Sequence, residues 1–166
     1  AIPVSTTDAA NKSYVDNVAA GLIIKESCTV ATLDTLENTD IGSIVYTTPS
    51  IITAVLNVSG VFTVDSVAVI TGNRILIKDQ TNPIQNGVYT VAISGTALTL
   101  TRATDYDEDS EVRSGAFCFI VKGTVNDNSG FVLSSDGDII IGTSDLIYTQ
   151  FSGTGQIIPG DGIFKS

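Results

Sequence analysis

The chain has 166 residues, 43% of them hydrophobic and 16% charged, with a formal charge of −10 and a sequence pI near 4.1. Eight Lys plus Arg against eighteen Asp plus Glu cannot build the basic face that a polyanion requires, which argues against nucleic acids and anionic membranes as partners. The absence of histidine removes Ser-His-Asp and Cys-His relays within the chain, along with every His-containing zinc site.

One chain of this length fits one domain, and its apolar content is enough for a packed core rather than disorder. A mean hydropathy of +0.31 also leaves apolar surface over, expected to be buried against copies of the same chain. The acidic excess then keeps a self-associating protein in solution. Cys28 and Cys118 are too few for a disulfide framework or a four-cysteine zinc site. Cys118, in "GAFCFIVKG", reads as a small buried hydrophobe, with a bridge to Cys28 left open. No run approaches the ~18 apolar residues of a membrane span, and no signal-peptide pattern opens the chain. The lack of any methionine implies a processed chain or an excerpt of a longer one.

Residues 6–22, "TTDAANKSYVDNVAAGL", predict the single helix, near residues 7 to 20. Thr7 suits the N-cap with Asp8 in the first turn, and Gly21 supplies a C-terminal stop. Asn11, Val15, Val18 and Leu22 recur at spacings of four, three and four, a short heptad-like seam. A helix of about fourteen residues is marginal on its own, so it packs either on its own domain or in a bundle with neighbouring chains.

Beyond Leu22 the pattern is β. Thr, Val and Ile dominate, punctuated by Ser-Gly, Thr-Gly, Asn-Gly and Asp-Gly pairs. Strands are expected at 43–47, 52–57, 61–64, 67–70, 74–78, 88–93, 98–102, 116–121, 131–134, 139–141 and 146–151. In 74–78, Ile75 and Ile77 oppose Arg74, Leu76 and Lys78. In 116–121, Ala116, Cys118 and Ile120 oppose Phe117, Phe119 and Val121, so both faces are apolar and a central strand buried between two layers is expected. The fold class that follows is all-β, an antiparallel sandwich or barrel of short strands with one short N-terminal α-helix.

Between 78 and 87 the strand pattern breaks into "KDQTNPIQNG". Pro83 blocks further ladder donation, and Asn86-Gly87 offers the positive φ needed to re-enter a strand. Asp79, Gln80, Asn82, Gln85 and Asn86 suit hydrogen bonds to the loop's own backbone, giving a stiff corner. The alternative is a ligand-binding loop, with Asp79, Asn82, Gln85, Asn86 and Tyr89 as its residues. "DYDEDSE" invites a calcium reading through Asp105, Asp107, Asp109 and Glu111. The EF-hand spacing fails there, with Ser110 in the glycine position and Ala116 in place of the last Glu. A solvated acidic loop is expected instead, and "NDNSG" at 126–130 reads as a hairpin turn. Paired carboxylates alone hydrolyse glycosides, yet nothing marks out one pair among eighteen acids. No catalytic residue, metal site or cofactor is assigned.

"GNRILIKDQTNPIQNGVYTV", "LTRATDYDEDSEVRSGAFCFIVKGTVNDNSGFVL" and "GTSDLIYTQFSGTG" resemble, in order, a β-structured module of bacteriophage tail-fibre and related virion appendage proteins. Its pattern is Gly-[Asp/Asn]-Arg, Lys-Asp-Gln-Thr, Asn-Gly-[Val/Ile]-Tyr, Thr-Arg-Ala-x-Asp, Gly-Ala-Phe and Gln-Phe-Ser-Gly. Upstream, "TDAANKSYVDNVAAGL" is similar to a helix that such fibres place between modules. Two tryptophans common in the family are replaced here by Leu100 and Phe131, and segment 37–58 is longer than usual, consistent with an added hairpin.

The resemblance implies a non-enzymatic structural module of a phage fibre, exposed on the virion after assembly in the host cytoplasm. It implies a homotrimer contributing to host attachment, docked on neighbouring fibre, baseplate or capsid segments, and in contact with a host surface glycan or protein. Residues 1–22 are then a helical connector and oligomerisation segment with Asn11, Val15, Val18 and Leu22 at the contact. Residues 23–153 are the β module, and 154–166 connect to a following segment. The alternatives are a carbohydrate-binding or adhesin domain and a head-fibre or capsid decoration protein. A shallow groove carrying Tyr46, Tyr89, Tyr106 or Tyr148 beside Asp and Asn favours recognition, whereas an apolar side surface matched to a threefold axis favours the fibre spacer.

Overall fold

Period-two alternation of β-branched and polar residues is the chain's dominant local signal, and twelve short strands carry it. The computed structural model describes residues 21–152. In chain order the strands are β1 (Ile23–Ile24), β2 (Val30–Ala31), β3 (Val45–Thr48), β4 (Ile51–Val55), β5 (Thr63–Val64) and β6 (Val67–Ala68). They continue as β7 (Arg74–Ile77), β8 (Gly87–Ser94), β9 (Ala97–Arg102), β10 (Ala116–Phe119), β11 (Gly130–Leu133) and β12 (Tyr148–Ser152). Single 3₁₀ turns stand at Leu36–Asn38 and Pro83–Gln85. The protein is all-β in this sense, and the helix expected near residues 7 to 20 lies outside the described residues.

Six strands form one sheet in the order β2-β7-β8-β9-β4-β3, four form a second in the order β1-β10-β11-β12, and β5 and β6 make a separate hairpin. The β3–β4 pair is a hairpin within the longer 37–58 segment. The sheets are mixed rather than antiparallel throughout: β1 runs parallel to β10 and β2 parallel to β7. The reason is connectivity. Each of these two-residue strands meets a partner far along the chain, and distant partners, unlike hairpin neighbours, are free to pair in parallel.

Two cores follow from the alternation. On one face of the six-stranded sheet, Val30, Ile75, Ile77, Tyr89, Val91, Leu98, Leu100 and Ile52 are buried together with Phe62, Val64 and Val69 of the β5–β6 region. On the opposite face, Ala31, Leu76 and Val88 meet Ala116, Cys118, Phe131 and Leu133 of the four-stranded sheet. Strand β7 therefore serves both cores, Ile75 and Ile77 one and Leu76 the other, as the 74–78 pattern predicts.

The segment 116–121 departs from expectation. Ala116, Cys118 and Ile120 are buried, but Phe119 and Val121 are exposed and Phe117 is only half-buried. Among the described residues nothing lies over that second face. The expected strand at 139–141 is irregular backbone, although Ile139 and Ile141 plug the second core while Ile140 points to solvent. Three isoleucines in a row mark burial here, not a ladder.

Asp65 fastens the β5–β6 hairpin to the body. Its turn is tight, with positive φ at both Asp65 and Ser66 (47° and 64°), the geometry of a two-residue hairpin loop. The carboxylate is 6% exposed and accepts from the backbone N–H groups of Thr124 (3.0 Å), Val125 (2.9 Å) and Asn126 (2.8 Å). Gly123, at φ +154°, lies so close that a Cβ there would collide with the carboxylate. Three charge-assisted bonds replace the water that a buried carboxylate loses. Asp65→Ala leaves the Val125 and Asn126 N–H groups without this acceptor and Thr124 with only the carbonyl of residue 65 at 3.2 Å, and about 2 kcal/mol or more of stability is expected to go. Equilibrium urea unfolding checks this as a lowered midpoint with an unchanged slope.

Candidate functional site

The corner at 78–87 gathers many polar side chains, and its anchor is a cation on the buried face of a strand. Leu98, Leu100 and Arg102 alternate inward along β9, and Arg102 is 2% exposed. Its Nη1 donates to the Asn86 carbonyl (3.0 Å) and its Nη2 to the Ile84 carbonyl (3.0 Å) and the Tyr46 hydroxyl (3.4 Å). Nε donates to the Pro49 carbonyl. The guanidinium also lies 5.0 Å from the Tyr89 ring centre, a cation–π contact in a desolvated place. One planar fork thus holds the β3–β4 turn and the corner together, which the point charge of a lysine would not do.

The corner's own side chains complete the bracing. Asn86 accepts from the Gln80 N–H (3.0 Å) and donates to the carbonyls of Lys78 (3.2 Å) and Leu146 (3.0 Å). Gln80 accepts from the Leu36 N–H at 2.7 Å and donates to Gln85 at 3.2 Å. The Tyr89 hydroxyl donates to the Gln85 carbonyl (2.8 Å), and burial pushes that phenol's pKa well above its ordinary value. Asp79 accepts from Thr32 Oγ1 (2.8 Å) and pairs with Lys78 (2.9 Å). Asn82 caps the 3₁₀ turn by accepting from the Ile84 N–H (3.4 Å). Gly87 has φ +145°, and a Cβ there would collide with Arg102 Nη1, so the guanidinium and the glycine require each other.

The residues expected to contact a ligand are therefore brought together but turned inward. Tyr89 and Asn86 are buried, and Gln85 and Asp79 are half-buried and bonded within the corner. Asn82 alone of the five is exposed. Of the seam residues, Leu22 is half-buried, while Asn11, Val15 and Val18 lie outside the described residues. Arg102 and Asp65 were not singled out from the sequence. The signal for Arg102 was present, since alternation from Leu98 and Leu100 places it on the apolar face.

The tyrosines do not line a groove. Tyr106 belongs to the core beneath the four-stranded sheet with Tyr148 packed against it, and burial raises both phenols well above their usual value. Tyr46 is half-buried, its hydroxyl donating to the Pro49 carbonyl (2.8 Å). Cys28 and Cys118 are free and buried; the neighbouring Cys28 and burial raise the Cys118 thiol well above its ordinary value, so it is inert. The acidic loop disperses its carboxylates. Asp105 faces Arg74, Asp109 accepts from the Ile141 N–H (2.8 Å), and among the described residues no three acids, cysteines or histidines converge on a metal-sized site. Two surface clefts stand out: one of about 590 Å³ is lined by Asp109, Ser110, Arg113, Asp138, Ile139 and Ile140, and another of about 310 Å³ by Glu26, Ser27, Asn73, Arg74, Val121 and Lys122. Neither has an aromatic wall.

No protein-family model, curated protein or solved structure matches the chain.

Replacing Arg102 by Met keeps the volume but leaves the carbonyls of Ile84 and Asn86 without this donor and Pro49 with the Tyr46 hydroxyl alone, at roughly 1–3 kcal/mol for each carbonyl left unpaired. Hydrogen exchange is expected to speed up most at the amides of Gln80, Asn86 and Leu146. A separate expectation concerns acid. Burial raises the Asp105 carboxyl, but Arg74, bonded to it at 2.8 and 3.1 Å, more than offsets this and holds it below its ordinary value. A carboxylate with a depressed folded pKa stabilises fully above its unfolded value, about 3.9, and ceases to do so as pH falls through the folded one. Asp105→Asn is thus expected to lower the melting temperature at neutral pH, with the gap to the unmutated chain closing below about pH 4.

Proposed function

We propose that the chain is a non-enzymatic structural module of a phage fibre or similar virion appendage: a β-sandwich with one N-terminal helix, trimeric and contributing to host attachment. One observation carries this reading. The residues of the spaced motif, Lys78 to Thr81, Asn86-Gly87 and Thr101-Arg102-Ala103, form a braced internal corner instead of lining an open cleft. A motif spent on rigidity suits a load-bearing module repeated along a fibre. It does not suit a catalytic centre, whose groups must meet substrate.

The recognition reading, a carbohydrate-binding or adhesin domain, relies on tyrosines beside Asp and Asn in a surface groove. Its support is weak, because Tyr89 and Tyr106 are buried and both clefts lack aromatic platforms. Among the described residues the exposed aromatics are Phe119 and Phe151, which offer no hydrogen bonds to a sugar.

In this reading residues 1–22 set the trimer, with the Asn11, Val15, Val18 and Leu22 seams side by side on the threefold axis. Burying each valine or leucine contributes roughly 1.5–3 kcal/mol before entropy costs, modest for a concentration-dependent trimer, so the β modules add contacts of their own. Sedimentation equilibrium at tens of micromolar is expected to give three times the 17.3 kDa chain mass. Val15→Asp with Val18→Asp is expected to lower that mass while the β module stays folded. A clean monomer mass for the unmutated chain would refute the trimer.

A further inference from the structure

The four-stranded sheet has an apolar outer face. Register places Ile24 beside Phe117, Phe117 beside Val132, and Val132 beside Thr149. Phe119 continues the row of β10, and Phe151 meets Phe117 edge-on with ring centres 6.0 Å apart at 84°. Ile24 is 69% exposed, Phe119 38% and Phe151 43%. None of these positions is charged, in a chain of net charge −10.

We infer that this face is the contact by which the β modules of three copies pack around the fibre axis. The inference rests on the trimeric reading above and names its surface. Charge restricts the partner first. Copies of a strongly acidic chain repel wherever acids face each other, and this face is free of them. Chain path comes next. Leu22, the last seam residue, is followed directly by Ile23 and Ile24 of β1, so seams on a threefold axis bring this face to the same axis. The chain enters the sheet at one edge, β1, and leaves for residues 153–166 from the other, β12. A fibre whose chains run along a common axis needs both points near it. Size sets how much else must join: stable interfaces bury about 800 Å² per partner, and because Phe117, Phe119, Phe151 and Val132 are already partly buried within the chain, this face supplies only part of that area and the seam must add the rest.

The test is sedimentation equilibrium of the full chain over a dilution series, comparing five proteins: the unmutated chain, the seam variant Val15→Asp with Val18→Asp, and the three below. Phe119→Glu with Phe151→Glu is expected to raise the concentration of half-dissociation at least about 100-fold, since each glutamate would be buried beside its copies. Phe119→Leu is expected to leave it nearly unchanged. Thr99→Glu, beside the exposed Ala92 on the six-stranded sheet, is the charge control and is expected to stay trimeric. Near-UV circular dichroism of the buried tyrosines reports whether each variant folds. Should the double glutamate variant not fold, hydroxyl-radical footprinting of the unmutated chain replaces it, with Phe119 and Phe151 protected at trimer-forming concentration and labelled on dilution. A trimer that survives the glutamates but dissociates with Val15→Asp and Val18→Asp overturns this face and leaves the fibre reading standing. Equal dissociation by Thr99→Glu, or unchanged labelling on dilution, also overturns it. A monomeric unmutated chain overturns both.

Discussion

A buried guanidinium among backbone carbonyls organises this molecule. Arg102 sits at the inward register of β9 and binds the carbonyls of Pro49, Ile84 and Asn86, oxygens that the turns expose and that no ladder partner takes. An unpaired carbonyl inside a protein costs a large fraction of a hydrogen bond, so these turns need a donor, and one planar fork reaches all of them. The consequence travels along the chain. Asn86, fixed by Arg102, binds the Leu146 carbonyl, while the Pro83 carbonyl accepts from the Leu146 N–H. Leu146 leads into β12, the edge strand that carries Phe151. The orientation of the apolar sheet face therefore depends on a cation buried on the far side of the corner.

Asp65 applies the same solution with the opposite sign. Its carboxylate gathers N–H groups from the 124–126 segment as Arg102 gathers carbonyls, and both operate where a strand ends and the backbone would otherwise be unsatisfied. Asn126 then donates to the carbonyls of Ala31 and Thr32, tying the β10–β11 connection to the edge of the six-stranded sheet. Strands this short make few ladder bonds each, and side-chain polar locks supply the missing tertiary fixing.

The legible parts of the fold were those where local alternation and tertiary burial agree. Ile75, Leu76 and Ile77 announced a strand with two buried faces, and Pro83, Asn86 and Gly87 announced a rigid corner. The two-residue strands β1 and β2 escaped because period two needs more than two residues to register, and because a distant partner sets their pairing. Ile139 to Ile141 misled for the opposite reason: alternate burial persists there without any ladder. The corner's polar residues were legible as self-bonding, and alternation from Leu98 and Leu100 marks Arg102 as inward, but which carbonyls it meets depends on turns far along the chain that no local pattern brings together.

Phe117, Phe119 and Val121 show the deeper limit of periodicity. Their alternation reads as a buried face, and apolar patterning is blind to whether the covering layer comes from the same chain or another. The six-stranded sheet makes a useful contrast. Beyond Leu76 and Val88, which the four-stranded sheet covers, the same face carries Thr90, Ala92, Thr99 and Thr101 on β8 and β9, with Thr53 opposite Thr99 on β4. Hydroxyls there bond water, and alanine methyls cost little when wet, so this part of the face stays exposed beside the part that the four-stranded sheet covers. Phenylalanine rings at Phe119 and Phe151 have no such recourse. The wet part of the six-stranded face mixes its hydroxyls with Val45 and Val55 and borders the Arg74–Asp105 pair, whereas the outer face of the four-stranded sheet gathers Phe117, Phe119 and Phe151, rings with no hydrogen bond to offer water.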